Sequence, residues 1–131
     1  MNNRAQQTYL LNQVNTAHPG DLTLMLYNGC IKFMRQAIVS MENKDYEGKN
    51  NYIQRALDII DEFIITLNMD YPISQNLRSL YMFMKENLIQ GNVRMDIQKV
   101  QITIDLMSEL KDTWVQAVKK AKSGEPDQVT V

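Results

Sequence analysis

Cysteine is nearly missing from this chain: Cys30 is the only one, so no disulfide can staple the chain to itself. It falls inside an apolar segment and reads as a small core residue kept reduced. Histidine is just as scarce. His18, the single example, precedes Pro19 at a helix start. A phosphotransfer bundle needs a histidine exposed on a helix with room for a phosphoryl donor, and His18 is better read as a helix-entry residue. A di-iron carboxylate bundle needs inward-facing Glu-x-x-His pairs on two helices, and the sequence has none. Metal-ligand Cys/His spacing, a phosphate-cradling glycine loop and Ser/His/Asp or Cys/His sets are missing too. Asp58, Asp61 and Glu62 read as a solvated acidic face. The expectation is a protein that is not an enzyme, with no cofactor, no metal and no small-molecule substrate.

Charge of one sign is also lacking. Fourteen Lys and Arg against fifteen Asp and Glu leave a net charge of −1 and a pI near 5.8. That balance offers no basic field for nucleic acid or an anionic membrane. No apolar run approaches 18 residues, and no charged-then-apolar signal peptide opens the chain, so the expected setting is cytoplasmic and soluble. At 131 residues the chain suits one domain with a core of its own.

Proline and glycine, three and five in number, fall mostly at boundaries, and strand signals are weak throughout. The 3.6-residue period is clear in four places. Segment one runs from about Pro19 to Asn43, with Pro19 pre-set for a first helical turn and Asp21 near the positive end of the dipole. After Asn43-Lys44, Asp45 caps segment two, which continues to about Asn68. Pro72 disfavours helix in the residue before it, so residues 69–72 form a turn. Segment three spans about Ile73 to Gln90 and stops at Gly91-Asn92, read as a helix C-terminal pair. Segment four starts near Met95 or Asp96 and ends about Lys122, where Lys119, Lys120 and Lys122 suit the negative end of the dipole. The expected fold is all-α: an antiparallel up-down four-helix bundle with a short N-terminal cap segment. Residues 19–122 form the bundle. Residues 123–131 read as a disordered tail. Residues 1–18, with a small apolar cluster of Tyr9, Leu10, Leu11 and Val14, either cap the bundle or form a disordered arm.

What is present in surplus is apolar surface. On a helical wheel, Leu22, Leu26, Gly29, Phe33 and Ala37 make one seam of segment one, with Cys30 and Met41 beside it. Leu24, Tyr27, Ile31 and Ile38 make a second line, with Met34 between the two. Together they span roughly 220°, against the stripe of about 100° or a little more on a one-sided helix. Ile59 and Ile102 lie off the seams of their own segments. Helices buried among three neighbours would account for such arcs. The sharper reading is that Leu24, Tyr27, Ile31, Met34, Ile38, Ile59 and Ile102 line grooves that accept a partner segment. Nine methionines suit an adaptable surface, and are equally ordinary core filler.

The stretch NQVNTAHPGDLTLMLYNGCIKFMRQA, residues 12–37, resembles the signature of the flagellar export chaperone FliS family. That signature has an N-terminal tyrosine, then V-x-T-A-x-P-G-E/D-L running into L-x-L-M-L-Y-N/D-G. Here its elements are Tyr9, then Val14, Thr16, Ala17, Pro19, Gly20, Asp21 and Leu22, then Leu24, Met25, Leu26, Tyr27, Asn28 and Gly29. Two positions depart from it: His18 stands where Ser or Thr is common, and Asp21 where Glu is frequent. The resemblance extends to the length, the four-helix layout and Trp114 on the last helix. It implies a bundle that binds the disordered C-terminal segment of flagellin, prevents its premature polymerisation, and presents it to the membrane export gate of the flagellar type III apparatus. It also implies that the N-terminal segment packs over the binding groove and moves when cargo arrives. On this reading Tyr9, Leu10 and Val14 form a lid over a groove lined by Leu24, Tyr27 and Ile31, and Ile31→Asp blocks cargo without disturbing the fold. The alternative is a self-associating helical adaptor or regulatory module without flagellin as cargo. A homodimer in the absence of cargo suits either.

Overall fold

Pro19 opens the first helix as its fixed φ allows, and Asp21 lies in the first turn. The computed structural model describes residues 19–122. The expected arm and tail, with Tyr9, Leu10, Val14 and His18, lie outside the described residues. Four helices follow in order: α1 (Pro19–Glu42), α2 (Tyr46–Thr66), α3 (Ile73–Arg94) and α4 (Ile97–Lys122). α1 packs against α2 and α4, and α3 packs against the same two, giving an antiparallel four-helix square.

Each connection has a local cause. Between α1 and α2 the chain turns through Lys44 at φ 56°, and the Gly48 amide donates to Asp45 Oδ1 at 3.0 Å, capping α2. Between α2 and α3, Asn68 organises the turn: its Oδ1 accepts from the Asp70 amide, and its carbonyl accepts from the Tyr71 amide and the Ser74 hydroxyl. At the far end Asp96 Oδ1 accepts from the amides of Gln98 and Lys99, capping α4. Lys49, buried near the start of α2, donates from Nζ to the Asn92 carbonyl in the last turn of α3. A cation there meets both an unbonded carbonyl and the negative end of a dipole.

The end of α3 corrects the expectation. The helix does not stop at Gly91-Asn92 but continues to Arg94, and Met95 takes the left-handed cap at φ 53°. Gly91 is buried within the helix. A Cβ there would lie 3.2 Å from the Asp96 carbonyl oxygen and 3.2 Å from Val100 Cγ2, so glycine serves close approach of α3 and α4.

The core is built from Cys30, Met34, Ile53, Ile60, Met84, Leu88, Val100 and Met107, each with essentially no exposed surface. On α1 the deepest residues are Tyr27, Cys30, Ile31, Met34, Ala37 and Met41, whereas Leu22, Leu26 and Phe33 are half-buried. The middle of the wide apolar arc faces the bundle axis, because α1 lies between two neighbours. Its two edges face the grooves.

Candidate partner-binding site

At one end of the bundle all four helices contribute to an open apolar pocket of about 210 Å³. The start of α1 supplies Thr23 and Tyr27. The end of α2 and the residue after it supply Phe63, Thr66 and Leu67. α3 supplies Ile73, Leu77 and Tyr81, and the far half of α4 supplies Leu110, Thr113 and Trp114. Antiparallel packing creates this convergence: two helix starts and two helix ends meet at this end of the bundle.

Three rings run through it. Tyr27 and Phe63 stack with centroids 4.8 Å apart, and Phe63 and Tyr81 at 5.5 Å with planes inclined by 12°. The hydroxyls of Tyr27 and Tyr81 are 3.5 Å apart and hydrogen-bond to each other. Burial pushes the Tyr27 phenol up from its ordinary value, with the Tyr81 hydrogen bond opposing it. Burial is also the largest cause of the rise at Tyr81. Both stay neutral over the whole physiological range, so the pair adds polarity without charge.

The rim is polar only in name. Thr66 Oγ1 donates to the Glu62 carbonyl at 2.8 Å and Thr113 Oγ1 to the Glu109 carbonyl at 3.1 Å, so both hydroxyls are occupied within their own helices. Among the described residues lining the pocket none is charged. Trp114 donates from Nε1 to the Gly20 carbonyl at 2.9 Å and ties the start of α1 to the end of α4. The cavity is smaller than the roughly 300–1,000 Å³ of small-molecule sites, and is scaled to one or two apolar side chains of a larger partner.

Of the residues expected to line a groove, only Tyr27 reaches this pocket. Ile31 is 5% exposed and Met34 is fully enclosed, so both are core residues and not open groove walls. The expectation that Ile31→Asp leaves the fold intact is corrected accordingly, since the carboxylate would be placed in the core. Ile38 and Ile59 are half-buried and pack against the core. Ile59 Cδ1 comes within 3.6 Å of where a Gly29 Cβ would be, in the α1–α2 interface. Leu24 is half-buried, and Ile102 is exposed on α4. These positions do not form one site.

Ten pocket residues were not among those expected. Phe63, Leu67, Leu77, Tyr81, Leu110 and Trp114 carry ordinary seam spacing, and nothing in their periodicity separates a seam residue packed in the core from one that lines a pocket. The available signal is positional: all except the mid-helix Leu110 lie in the half of their helix, or just past its end, that an up-down bundle brings to one end.

Comparison with known proteins agrees with this architecture. The family model described as flagellar protein FliS matches residues 1–121. The flagellar secretion chaperone FliS of Bacillus subtilis strain 168 is 40% identical over 114 residues, covering 87% of this chain and 86% of its own. The protein of the same name from Vibrio cholerae El Tor Inaba is 31% identical over 106 residues, covering 79% and 78%. A crystal structure titled as a flagellar chaperone from bacteria superposes with a TM-score of 0.73 at 19% identity, over 89% of this chain and 97% of that one, a likeness of fold. This chain belongs to the FliS family, whose relatives above are named flagellar secretion chaperones.

Proposed function

We propose that this protein is a cytoplasmic export chaperone that binds the disordered C-terminal segment of flagellin. Binding keeps that segment from polymerising early and delivers it to the flagellar type III export apparatus, where a membrane component of the export gate is the second partner. The observation that carries the reading is the open apolar pocket floored by Tyr27, Phe63 and Tyr81. A disordered segment that folds on binding must recover its ordering cost, several kcal/mol, through buried apolar area. An uncharged pocket that accepts one or two side chains gives such a segment its anchor, and an amphipathic helix lying along the neighbouring grooves supplies the remaining area.

The test is calorimetric titration of the full chain with the last ~60 residues of flagellin from the same organism, a length that as helix spans the bundle with residues to spare. Submicromolar one-to-one binding with a negative heat-capacity change is expected. The variant Ile73→Glu changes a residue that is 45% exposed at the pocket edge. A negative charge in the first turn of α3 is favourable to the helix, so the fold is retained. Affinity should fall by about tenfold or more if the pocket seats an anchor. Unchanged affinity removes the pocket from the interface, and absence of binding by the folded wild type removes flagellin as cargo.

A further inference from the structure

A second cavity, of about 330 Å³, opens on the α1–α2 face and shares no residue with the apolar pocket. Its chemistry is the reverse. Lys32 and Gln36, one turn apart on α1, line it together with Tyr52 and Arg55 of α2, and Phe33 lies beside them. The Phe33 and Tyr52 rings stack with centroids 6.5 Å apart and planes inclined by 23°, and the Arg55 guanidinium carbon lies 5.6 Å from the Phe33 centroid. That contact holds a half-buried cation in place without neutralising it. Neither Arg55 nor Lys32 has an ion-pair partner among the described residues. Gln36 Oε1 is buried and accepts no hydrogen bond among them. A buried acceptor left bare is costly, so the cavity has a place for a donor as well as for an anion.

We infer that this cavity is a recognition site for a polypeptide carboxylate, that of a chain terminus or of an acidic side chain. Arg55 offers N–H groups in a fork that matches both carboxylate oxygens, and Lys32 offers a point charge on a flexible stem. A peptide N–H near the carboxylate donates to Gln36 Oε1, and the ligand's apolar part rests against the Phe33–Tyr52 pair. The size of the charge selects the anion. Asp45 also lines the cavity, with Oδ1 taken by the Gly48 amide, so the cavity keeps one net positive charge. One charge suits a monoanionic carboxylate and disfavours a phosphate dianion. The assignment holds whatever the apolar pocket takes, since no side chain serves both.

Amide chemical shifts of the full chain, followed during titration with N-acetyl-phenylalanine and with its neutral amide, test this. The acid should shift residues 32–36 and 48–55 with half-saturation at about 1–10 mM, and the amide should bind at least about tenfold more weakly. Lys32→Gln and Arg55→Gln should each weaken binding of the acid by about three- to tenfold. Arg55→Lys should remain weaker than the wild type, because the charge is kept and the fork is lost. Spectra of the unliganded variants report whether the bundle is intact. The α-amide of N-acetyl-glutamate, whose one carboxylate is on the side chain, separates the two sources. Binding tighter than that of N-acetyl-phenylalanine assigns the site to acidic side chains, and weaker binding assigns it to a chain terminus. Equal binding of acid and amide overturns the proposal, as does binding indifferent to both glutamine variants. The absence of shifts at about 30 mM overturns it as well. Inorganic phosphate bound as tightly at the same residues makes this a general anion site and overturns the choice of carboxylate. Shifts confined to Tyr27, Phe63 and Tyr81 put the ligand in the apolar pocket and overturn the assignment.

Discussion

Cys30 has no exposed surface, and its thiol donates to the Ala56 carbonyl at 3.7 Å, joining α1 to α2. Burial pushes that thiol up to about 12 from an ordinary value of 9.0. A raised native value means that the unfolded chain loses its proton first as pH climbs. Folding stability is therefore undiminished below about pH 9 and falls between pH 9 and 12, by up to about 1.4 kcal/mol per pH unit from this group. The raised phenols of Tyr27 and Tyr81 add to the loss from about pH 10. Urea unfolding of the wild type from pH 7 to 10.5 should show a flat region and then a decline beginning near pH 9. In Cys30→Ala the decline should begin about one unit later, with a lower plateau from the lost packing. A wild-type profile that stays flat through pH 10.5 would show the thiol open to solvent in the native state.

At the scale of the element, the first turn of α2 contains a conflict that can be measured. A Cβ on Gly48 would lie 2.3 Å from Asp45 Oδ2 and 2.9 Å from Ser40 Oγ, so alanine there must expel the carboxylate that caps the helix. Gly48→Ala then gains helix propensity of about 0.5–1 kcal/mol and loses a cap of similar size, leaving stability unchanged or slightly lower. In an Asp45→Ala background the carboxylate is gone and only the Ser40 hydroxyl has to rotate aside, so the same substitution should stabilise by up to about 1 kcal/mol. A coupling of about 1 kcal/mol from urea denaturation of the four proteins is the expected result, and strict additivity would show that the cap tolerates the methyl group. The capping itself was readable from Asp45 at its place in the sequence, as was the opening of α1 from Pro19 and Asp21. The end of α3 was not. Gly91 looks like a helix terminator because glycine usually serves a left-handed residue, but here its missing Cβ admits the Asp96 carbonyl and Val100 from across the turn, and Met95 adopts the left-handed conformation instead. Local sequence cannot separate these two uses of glycine, since the second depends on where the next helix lies.

Across the whole molecule the two ends of the bundle are built differently. One end is fastened by Asp45 and Asp96 capping α2 and α4, by Lys49 on the last turn of α3, and by the close approach at Gly91. The other holds the pocket, with Trp114 bonded to the Gly20 carbonyl across it and the Asn68 turn beside it. This asymmetry explains why the site was less legible than the fold. Periodicity reports which face of a helix turns inward, and on α1 it correctly showed an arc too wide for one neighbour. It carries no information about the level along the bundle at which a pocket opens, so the arc alone cannot tell the buried Ile31 and Met34 from groove residues, or Phe63 and Tyr81 at the pocket from the rest of the seam. The same asymmetry dictates how the molecule opens. Amides at the fastened end, in residues 45–56 and 84–104, have buried apolar contacts and closed turns around them and should exchange with solvent only through global unfolding. Amides flanking the pocket, in residues 20–24, 66–77 and 110–117, should exchange through smaller openings, ten- to a hundredfold faster at about 1.4–2.7 kcal/mol lower cost. Hydrogen exchange followed by mass spectrometry reads this directly. On adding the flagellin C-terminal segment, protection should rise at the pocket end first and most, because a partner that fills the pocket must close the openings around it. Equal protection at both ends without cargo would mean that the Trp114 bond and the stacked rings hold the open end as firmly as the caps hold the other, and the pocket would then be a fixed cavity in place of a yielding one.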